Sequence, residues 1–323
     1  MAPAIAVEDL TRTYRSRSGA FRRKTTVVEA LRGISLSVEP GELFGLLGPN
    51  GAGKTTTIKI LTTLLLPTSG SARVLGLDPA RQARDVRGRI GYVFGGDRGL
   101  YDRLTALDNL RYFADLYRVP VAKKRARIAE LLELVGLTGR EGERVETYSR
   151  GMRQRLHIAR GLLHDPEVLF LDEPTIGLDP IGARELRDTI AGLRSAGKTI
   201  LLTTHYMYEA DALCDRIAVI AAGTIVASGT PSDLKGTVAN QTIVEIETFG
   251  AGDDVIERLR AVRGVSAVAV ETREQAQVVL VQSPVGAEIV QALLRELDGS
   301  TLGKVVTREP TLEDAYVELV RSA

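Results

Sequence analysis

The sequence predicts an α/β fold, with a mostly parallel sheet covered by helices on both faces and a small α+β domain after it. Three observations carry this reading. The short apolar runs Leu43–Leu47, Val168–Leu171 and Thr199–Thr203 read as strands buried on both faces. Stretches with apolar residues at spacing three and four lie between them, as amphipathic helices require. Beyond Gln241 the order becomes strand, helix, strand, strand, helix, strand.

Taken in order, Ile5 to about Val38 alternates short β-like stretches with polar turns. Within it, the basic stretch Arg15, Arg17, Arg22, Arg23 and Lys24 reads as a solvated hairpin loop. After the Leu43–Leu47 strand and a glycine-rich turn, Thr55–Leu66 reads as a helix stopped by Pro67. Leu110, Phe113 and Leu116, then Ile128, Leu131, Leu132 and Val135, mark two helices separated by Pro120. Ile217 to Gly229 reads as two buried strands around a turn. The composition loosens from Ser232 to Gln241, so the domains are placed at 1–235 and 241–323, with a helical subdomain at about 97–158. In the second domain, strands Ile243–Thr248, Val265–Glu271, Val278–Gln282 and Lys304–Thr307 are expected around helices Asp253–Val262 and Ala287–Leu297. A last helix from Thr311, with Asp314 three residues on as an imperfect capping box, is expected to bury Leu312, Ala315 and Leu319.

Composition narrows the function. The 323 residues are 44% hydrophobic and 26% charged with net charge +1, which argues against phosphate-backbone binding as the main source of affinity. A single cysteine, Cys214, excludes an intrachain disulfide framework and a multi-cysteine metal site. No run approaches the roughly 18 apolar residues that span a bilayer, and no secretory leader is visible. The chain is expected to be soluble and to reach a membrane only through a partner.

The strongest motif is Gly48-Pro49-Asn50-Gly51-Ala52-Gly53-Lys54-Thr55, followed by Thr56. It matches the P-loop pattern at every fixed position, between a strand and a helix. Glycines let backbone N–H groups turn inward around phosphate oxygens, and the helix adds its positive end. Lys54 would reach the β- and γ-phosphates of ATP, and the Thr55 hydroxyl would ligate Mg²⁺. The second motif is Asp172-Glu173-Pro174, closing the Val168–Leu171 run. Both carboxylates then stand at the carboxyl edge of the sheet, where α/β folds hold ligands. Asp172 would orient Mg²⁺ and Glu173 would polarise the attacking water.

Tyr148-Ser149-Arg150-Gly151-Met152-Arg153-Gln154, ahead of that strand, resembles the signature of the ABC ATPases. Gly177-Leu178-Asp179-Pro180 resembles their D-loop, His205 their switch histidine, and Tyr14 the aromatic residue that stacks on adenine. The C-terminal part, with Pro310-Thr-Leu-Glu-Asp-Ala-Tyr, is similar to the appended domain of drug-, antibiotic- and polysaccharide-export ATPases, the daunorubicin-resistance type among them. The resemblance implies a P-loop NTPase fold: a RecA-like sheet, an antiparallel β subdomain, a helical subdomain and a ferredoxin-like C-terminal domain. It also implies an ATP-hydrolysing subunit at the cytoplasmic face of the cell membrane, serving an exporter with a separate transmembrane permease. Two copies would close head to tail on ATP, with Ser149 and the Gly151 amide on the γ-phosphate of the opposite copy. The alternatives are a soluble ABC ATPase of translation or DNA repair, and a different P-loop enzyme such as a small-molecule kinase. Neither the paired ATPase domains nor the basic arms usual in the first are visible, and the signature, D-loop and His205 in series speak against the second.

The signature is a variant of the family's usual Leu-Ser-Gly-Gly-Gln, keeping the serine and the second glycine and differing at the other three positions, and one further position departs from the family. Its members carry a glutamine after the strand seen here as Ile90–Phe94, whereas this chain reads Gly95-Gly96-Asp97-Arg98. Asp97 could take over, a water could complete the metal shell, or coupling could run differently. The water is the expectation, because glycines leave room for one.

Overall fold

The three buried runs form the centre of a six-stranded sheet. In the computed structural model, residues 2–18, 24–95, 99–238, 241–249, 252–273, 276–297 and 301–321 are described. They fall into two units, Met1–Pro231 and Ser232–Ser322.

In the first unit, β1 (Ile5–Ser18) and β2 (Lys24–Val38) form a long antiparallel hairpin. The alternating short stretches read from sequence are therefore two continuous strands. Arg15 and Arg17 lie on β1 and Lys24 opens β2, while Arg22 and Arg23 lie outside the described residues. β3 (Leu43–Leu47) follows, then α1 (Lys54–Leu61), β4 (Ser69–Val74), α2 (Ala83–Arg87) and β5 (Ile90–Phe94). The helical segment holds α3 (Ala106–Leu116), α4 (Val121–Leu134) and α5 (Arg150–Leu162). The unit continues with β6 (Val168–Asp172), α6 (Pro180–Ser195), β7 (Thr199–Thr204), α7 (Met207–Leu213), β8 (Arg216–Ala221) and β9 (Thr224–Gly229), and α8 (Pro231–Gly236) leads into the second unit.

The main sheet has the order β5-β6-β7-β3-β8-β9, parallel except for the edge strand β9. Every residue of β3, β6 and β7 is buried, as strands covered on both faces require. A second, antiparallel sheet, β2-β1-β4, shares the large core built on Ile5, Leu10, Ile34, Phe44, Leu46, Ile58 and Phe170.

Three local readings change. Helix α1 ends at Leu61 rather than Leu66. The Thr62 hydroxyl donates to the Ile58 carbonyl at 2.8 Å, and Thr63 takes φ +67°, so the chain leaves the helix before Pro67 can act. Of the two strands in Ile217–Gly229, the first is buried but β9 is half-exposed, because it forms the sheet edge. Leu319 is half-buried, whereas Leu312 and Ala315 are buried.

In the second unit, β10 (Thr242–Phe249), β11 (Ala267–Arg273), β12 (Ala276–Ser283) and β13 (Thr301–Arg308) form an antiparallel sheet of order β11-β12-β10-β13. Helices α9 (Asp253–Ala261) and α10 (Val290–Glu296) pack on it through Val244, Ile246, Leu259, Val279, Val281 and Leu293. This is the split β-α-β arrangement read from the sequence. The last helix, α11 (Leu312–Arg321), starts as half a capping box: the Asp314 carboxylate accepts from the Thr311 amide at 2.7 Å. Asp314 also pairs with Arg308 at 2.6 Å, and Arg308 reaches Glu245 at 2.6 Å, which ties the helix to the sheet.

Candidate functional site

The site is built at the carboxyl ends of β3, β6 and β7, the neighbouring central strands. After β3 the chain enters the glycine-rich loop, and two of its glycines are fixed by close packing. A Cβ on Gly48 would lie 2.2 Å from the Ile220 carbonyl oxygen, and one on Gly53 would lie 2.7 Å from Leu31 and 2.8 Å from the Ala30 oxygen. Gly53 also takes φ +117° at the N-cap of α1. The loop is thus held tight by the protein beneath it, in addition to the inward-turned amides read from sequence. No side chain caps α1 and no acidic residue sits in its first turn, so that helix end is left positive. Pro49, Asn50, Gly51 and Ala52 form the arch, with the Ala52 amide donating to the Pro49 carbonyl at 3.2 Å. Thr55 and Thr56 lie in the first turn of α1.

Lys54 is only 4% exposed, and its ammonium is the centre of the cluster. Nζ donates to the carbonyls of Gly48 (2.6 Å) and Pro49 (3.2 Å) and lies 3.1 Å from Glu173 Oε1. Glu173 is presented by a strained turn: it follows β6 with φ +50°, and its amide donates to the Thr203 carbonyl at 3.0 Å and to the Thr203 hydroxyl at 3.1 Å. Its other oxygen lies 3.3 Å from His205 Nδ1. The His205 ring packs 4.1 Å from that of Tyr206. Lys54, Glu173 and His205, read from three distant motifs, therefore form one chain of charged and polar groups.

Asp172 stands beside them. Its Oδ1 accepts from Thr203 Oγ1 at 2.6 Å and from Thr55 Oγ1 at 3.3 Å. A carboxylate and a hydroxyl facing each other are hard oxygen donors, which suit a magnesium ion that completes its shell with water and phosphate. Burial and the nearby Asp172 carboxylate hold the Tyr92 phenol above its ordinary range.

Ser149, Gly151 and Asp179 form a second group. Ser149 caps α5, accepting from the Met152 amide at 3.2 Å, and Asp179 caps α6, accepting from the Gly182 amide at 3.2 Å. The two helix starts touch, since a Cβ on Gly151 would sit 3.5 Å from the Gly182 Cα. Tyr14 lies on β1, 37% exposed, under the Arg12 guanidinium at 4.8 Å.

Sequence reasoning missed two residues here and misread a third. Thr203 holds both Asp172 and the Glu173 turn; its signal is a polar residue closing an apolar strand. Buried Glu209 accepts from the Thr175 hydroxyl at 3.2 Å and so ties α7 to the segment after Glu173. Burial raises its carboxyl pKa, against hydrogen bonds from Thr204 and Thr175. Gly95 is the third. A Cβ there would lie 2.5 Å from the Glu173 carbonyl oxygen, 2.9 Å from Ile176 Cγ2 and 3.1 Å from the Asp172 oxygen. The room expected for a water at this glycine is filled by main chain, with the Gly95 amide donating to the Asp172 carbonyl at 2.7 Å. Gly96, Asp97 and Arg98 lie outside the described residues. Among the described residues no helix is long and apolar enough to cross a membrane.

Comparison with known proteins agrees with this geometry. Residues 31–176 match the family model described as ABC transporter. The linearmycin resistance ATP-binding protein of Bacillus subtilis (strain 168) is 35% identical over 302 residues, covering 93% of this chain and 95% of its own. A daunorubicin resistance ATP-binding protein of Streptomyces coeruleorubidus is 40% identical over 302 residues, covering 90% of this chain and 91% of its own. Among solved structures, a dimeric ATP-binding cassette in a post-hydrolysis state with ADP and Pi is 25% identical, with TM-score 0.61, 70% of this chain and 98% of that chain covered. With a phosphate loop, a carboxylate pair and a histidine converging on one sheet edge, and with relatives matched along nearly their whole length, the chain belongs to the ABC transporter family as an ATP-hydrolysing subunit.

Proposed function

We propose that this chain powers the export of hydrophobic, antibiotic-like molecules through a separate transmembrane permease. The observation that carries the reading is full-length likeness: the linearmycin and daunorubicin resistance relatives align over 93% and 90% of this chain, C-terminal unit included. The chain would act at the cytoplasmic face of the membrane, held there by the permease.

In this reading the loop Gly48–Thr56 wraps the phosphates, and Lys54 leaves the Gly48 and Pro49 carbonyls to meet the β- and γ-oxygens. Thr55 and Asp172 would hold Mg²⁺, which neutralises charge developing on the phosphates. Glu173 accepts the proton of the attacking water, and His205, within reach of the same carboxylate, fixes its orientation. Tyr14 stacks on the adenine ring. Ser149, Gly151 and Asp179 lie on helix starts that touch each other, and a second copy of the chain would bring them to the γ-phosphate across an ATP-bridged dimer. Closing and opening of that dimer is the two-state element a permease can use.

The test is to express tagged chain carrying Glu173→Gln in its host, solubilise membranes with ATP and Mg²⁺, and identify what co-purifies. A multispanning protein in near-equal amount is expected. Inverted vesicles holding that protein and the wild-type chain should accumulate daunorubicin when ATP is added. Recovery with ribosomal or DNA-repair components alone would contradict the reading.

A further inference from the structure

Helix α5 carries a polar stripe at helical spacing, Gln154, His157 and Arg160, and all three are buried. The stripe faces the end of β5 and the loop after it. The Gln154 side-chain amide donates to the Phe94 carbonyl at 3.5 Å, and the His157 ring lies 6.1 Å from that of Phe94.

Arg160 is 5% exposed, and no carboxylate pairs with it among the described residues. Its guanidinium carbon lies 5.5 Å from the Phe94 ring centre and 5.1 Å from that of Phe113. Its Nη1 donates to the Gly99 carbonyl at 2.5 Å. Burying a guanidinium costs several kcal/mol, and the two aromatic faces and the Gly99 hydrogen bond offset part of that. Gly99 is shaped to this contact: it takes φ +100°, and a Cβ there would lie 2.6 Å from Arg160 Nη1 and 3.3 Å from Phe94.

Gly95, next to Phe94 in the chain, lies on the site. Gly95 packs against the Glu173 carbonyl with no space for a side chain and donates to the Asp172 carbonyl. One buried cation therefore grips Phe94 and Gly99, while Gly95, the residue after Phe94, braces the turn that presents Glu173.

We propose that Arg160 is a positioning residue for ATP hydrolysis: by clamping Phe94 and Gly99 it presses Gly95 onto the Asp172–Glu173 turn and holds the Glu173 carboxylate in its working place. In this chain a main-chain joint, fixed from α5, stands where no side chain can be accommodated at residue 95. The contacts of Arg160 and Gly99 given above are with each other, Phe94 and Phe113 and not with Lys54 or the glycine-rich loop, so their loss should act on turnover and leave ATP binding intact. The proposal rests on the assignment of Glu173 made above.

The test uses purified full-length chain, measuring kcat, ATP Kd and thermal unfolding for Arg160→Met, Arg160→Lys, Gly99→Ala and Glu173→Gln. A group displaced by a fraction of an ångström is expected to lower kcat about tenfold or more in Arg160→Met, with Kd within about twofold. Arg160→Lys keeps a donor for the Gly99 carbonyl but loses the planar stack, so its kcat should fall between the two. Gly99→Ala leaves Arg160 in place and drives the clamp open, so it reports the same loss even if Arg160→Met does not fold. Folded Arg160→Met and Gly99→Ala with wild-type kcat, or with a loss confined to Kd, would overturn the proposal. Glu173→Gln separates the two failures. If it hydrolyses ATP normally, the site assignment falls; if it is inactive while the other variants are fully active, only the role of Arg160 falls.

Discussion

Replacing Gly95 by glutamine would supply the residue that the family resemblance implies after β5, yet the structure expects it to damage the enzyme. The added Cβ would stand 2.5 Å from the Glu173 carbonyl oxygen, where real Cβ atoms do not come closer than 3.0 Å. The difference, 3.0 − 2.5 = 0.5 Å, is the least by which one of two main-chain segments must yield. Neither is the tip of a flexible side chain, and Ile176 at 2.9 Å and the Asp172 oxygen at 3.1 Å block the neighbouring directions. The displaced segment carries the residue assigned to activate water. A shift approaching 1 Å there can cost about 100-fold, so a loss in kcat of about 10- to 100-fold is expected, or roughly 1.4–2.7 kcal/mol in the barrier. The phosphate loop is not touched, so ATP Kd should stay within about threefold. Steady-state phosphate release with an ATP-binding titration makes the measurement. Gly95→Ala is the control, because it shares the Cβ and should lose as much. A Gly95→Gln enzyme that turns over as fast as wild type, or faster, would refute the steric reasoning.

Two other perturbations follow from buried ionisable groups. Burial, with Arg160 and Arg153 beside it, holds the His157 pKa down to about 3 from 6.5. The unfolded chain takes up a proton below pH 6.5 that the folded chain refuses, so stability is lost as pH falls from about 6.5 towards 3, at about 1.4 kcal/mol per pH unit. Unfolding midpoints at pH 7.5 and 5.5 should therefore differ less in His157→Phe than in wild type; an equal difference would show that His157 does not titrate on unfolding. Burial raises the Asp314 pKa, but hydrogen bonds from Arg308 and Thr311 outweigh it and leave the carboxyl below its ordinary value. Its stabilisation is present above the unfolded carboxyl pKa and is lost as pH falls through the folded value. Asp314→Ala should cost about 1–3 kcal/mol near neutral pH, by freeing the Thr311 amide and half of the Arg308 pairing, and little in acid, as urea titrations at the two pH values would check.

The parts of the site visible in the sequence were those set by local chemistry. The glycine-rich loop must bend where it does, and an apolar run ending in Asp172 and Glu173 must place them at a sheet edge. Contacts between strands distant in sequence could not be read in the same way. Thr203 serves Asp172 and Glu173 only because β7 lies beside β6, and nothing in Thr-Thr-His announces that pairing. Gly95 read as free space because a glycine names the missing side chain and not what fills its place. The fold followed a similar rule. The strands buried on both faces were legible as uniform apolar runs, whereas the long hairpin of β1 and β2, half polar along its length, broke into short pieces. Helix α1 was read too long because Thr62 and Thr63, which end it through a side-chain bond and a positive φ, carry no strong stop signal.

The central claim is that Lys54, Asp172 and Glu173 form a working ATPase site whose glutamate drives hydrolysis and whose ATP-bound form joins two copies of the chain. Glu173→Gln tests it most directly, by measuring phosphate release and light-scattering mass with ATP and Mg²⁺ present. The account expects turnover to fall by about 100-fold or more, as for loss of a general base, while ATP still binds and the mass shifts from that of one 34.9 kDa chain to that of two. Undiminished turnover, or a protein that binds ATP and stays a monomer, would contradict it.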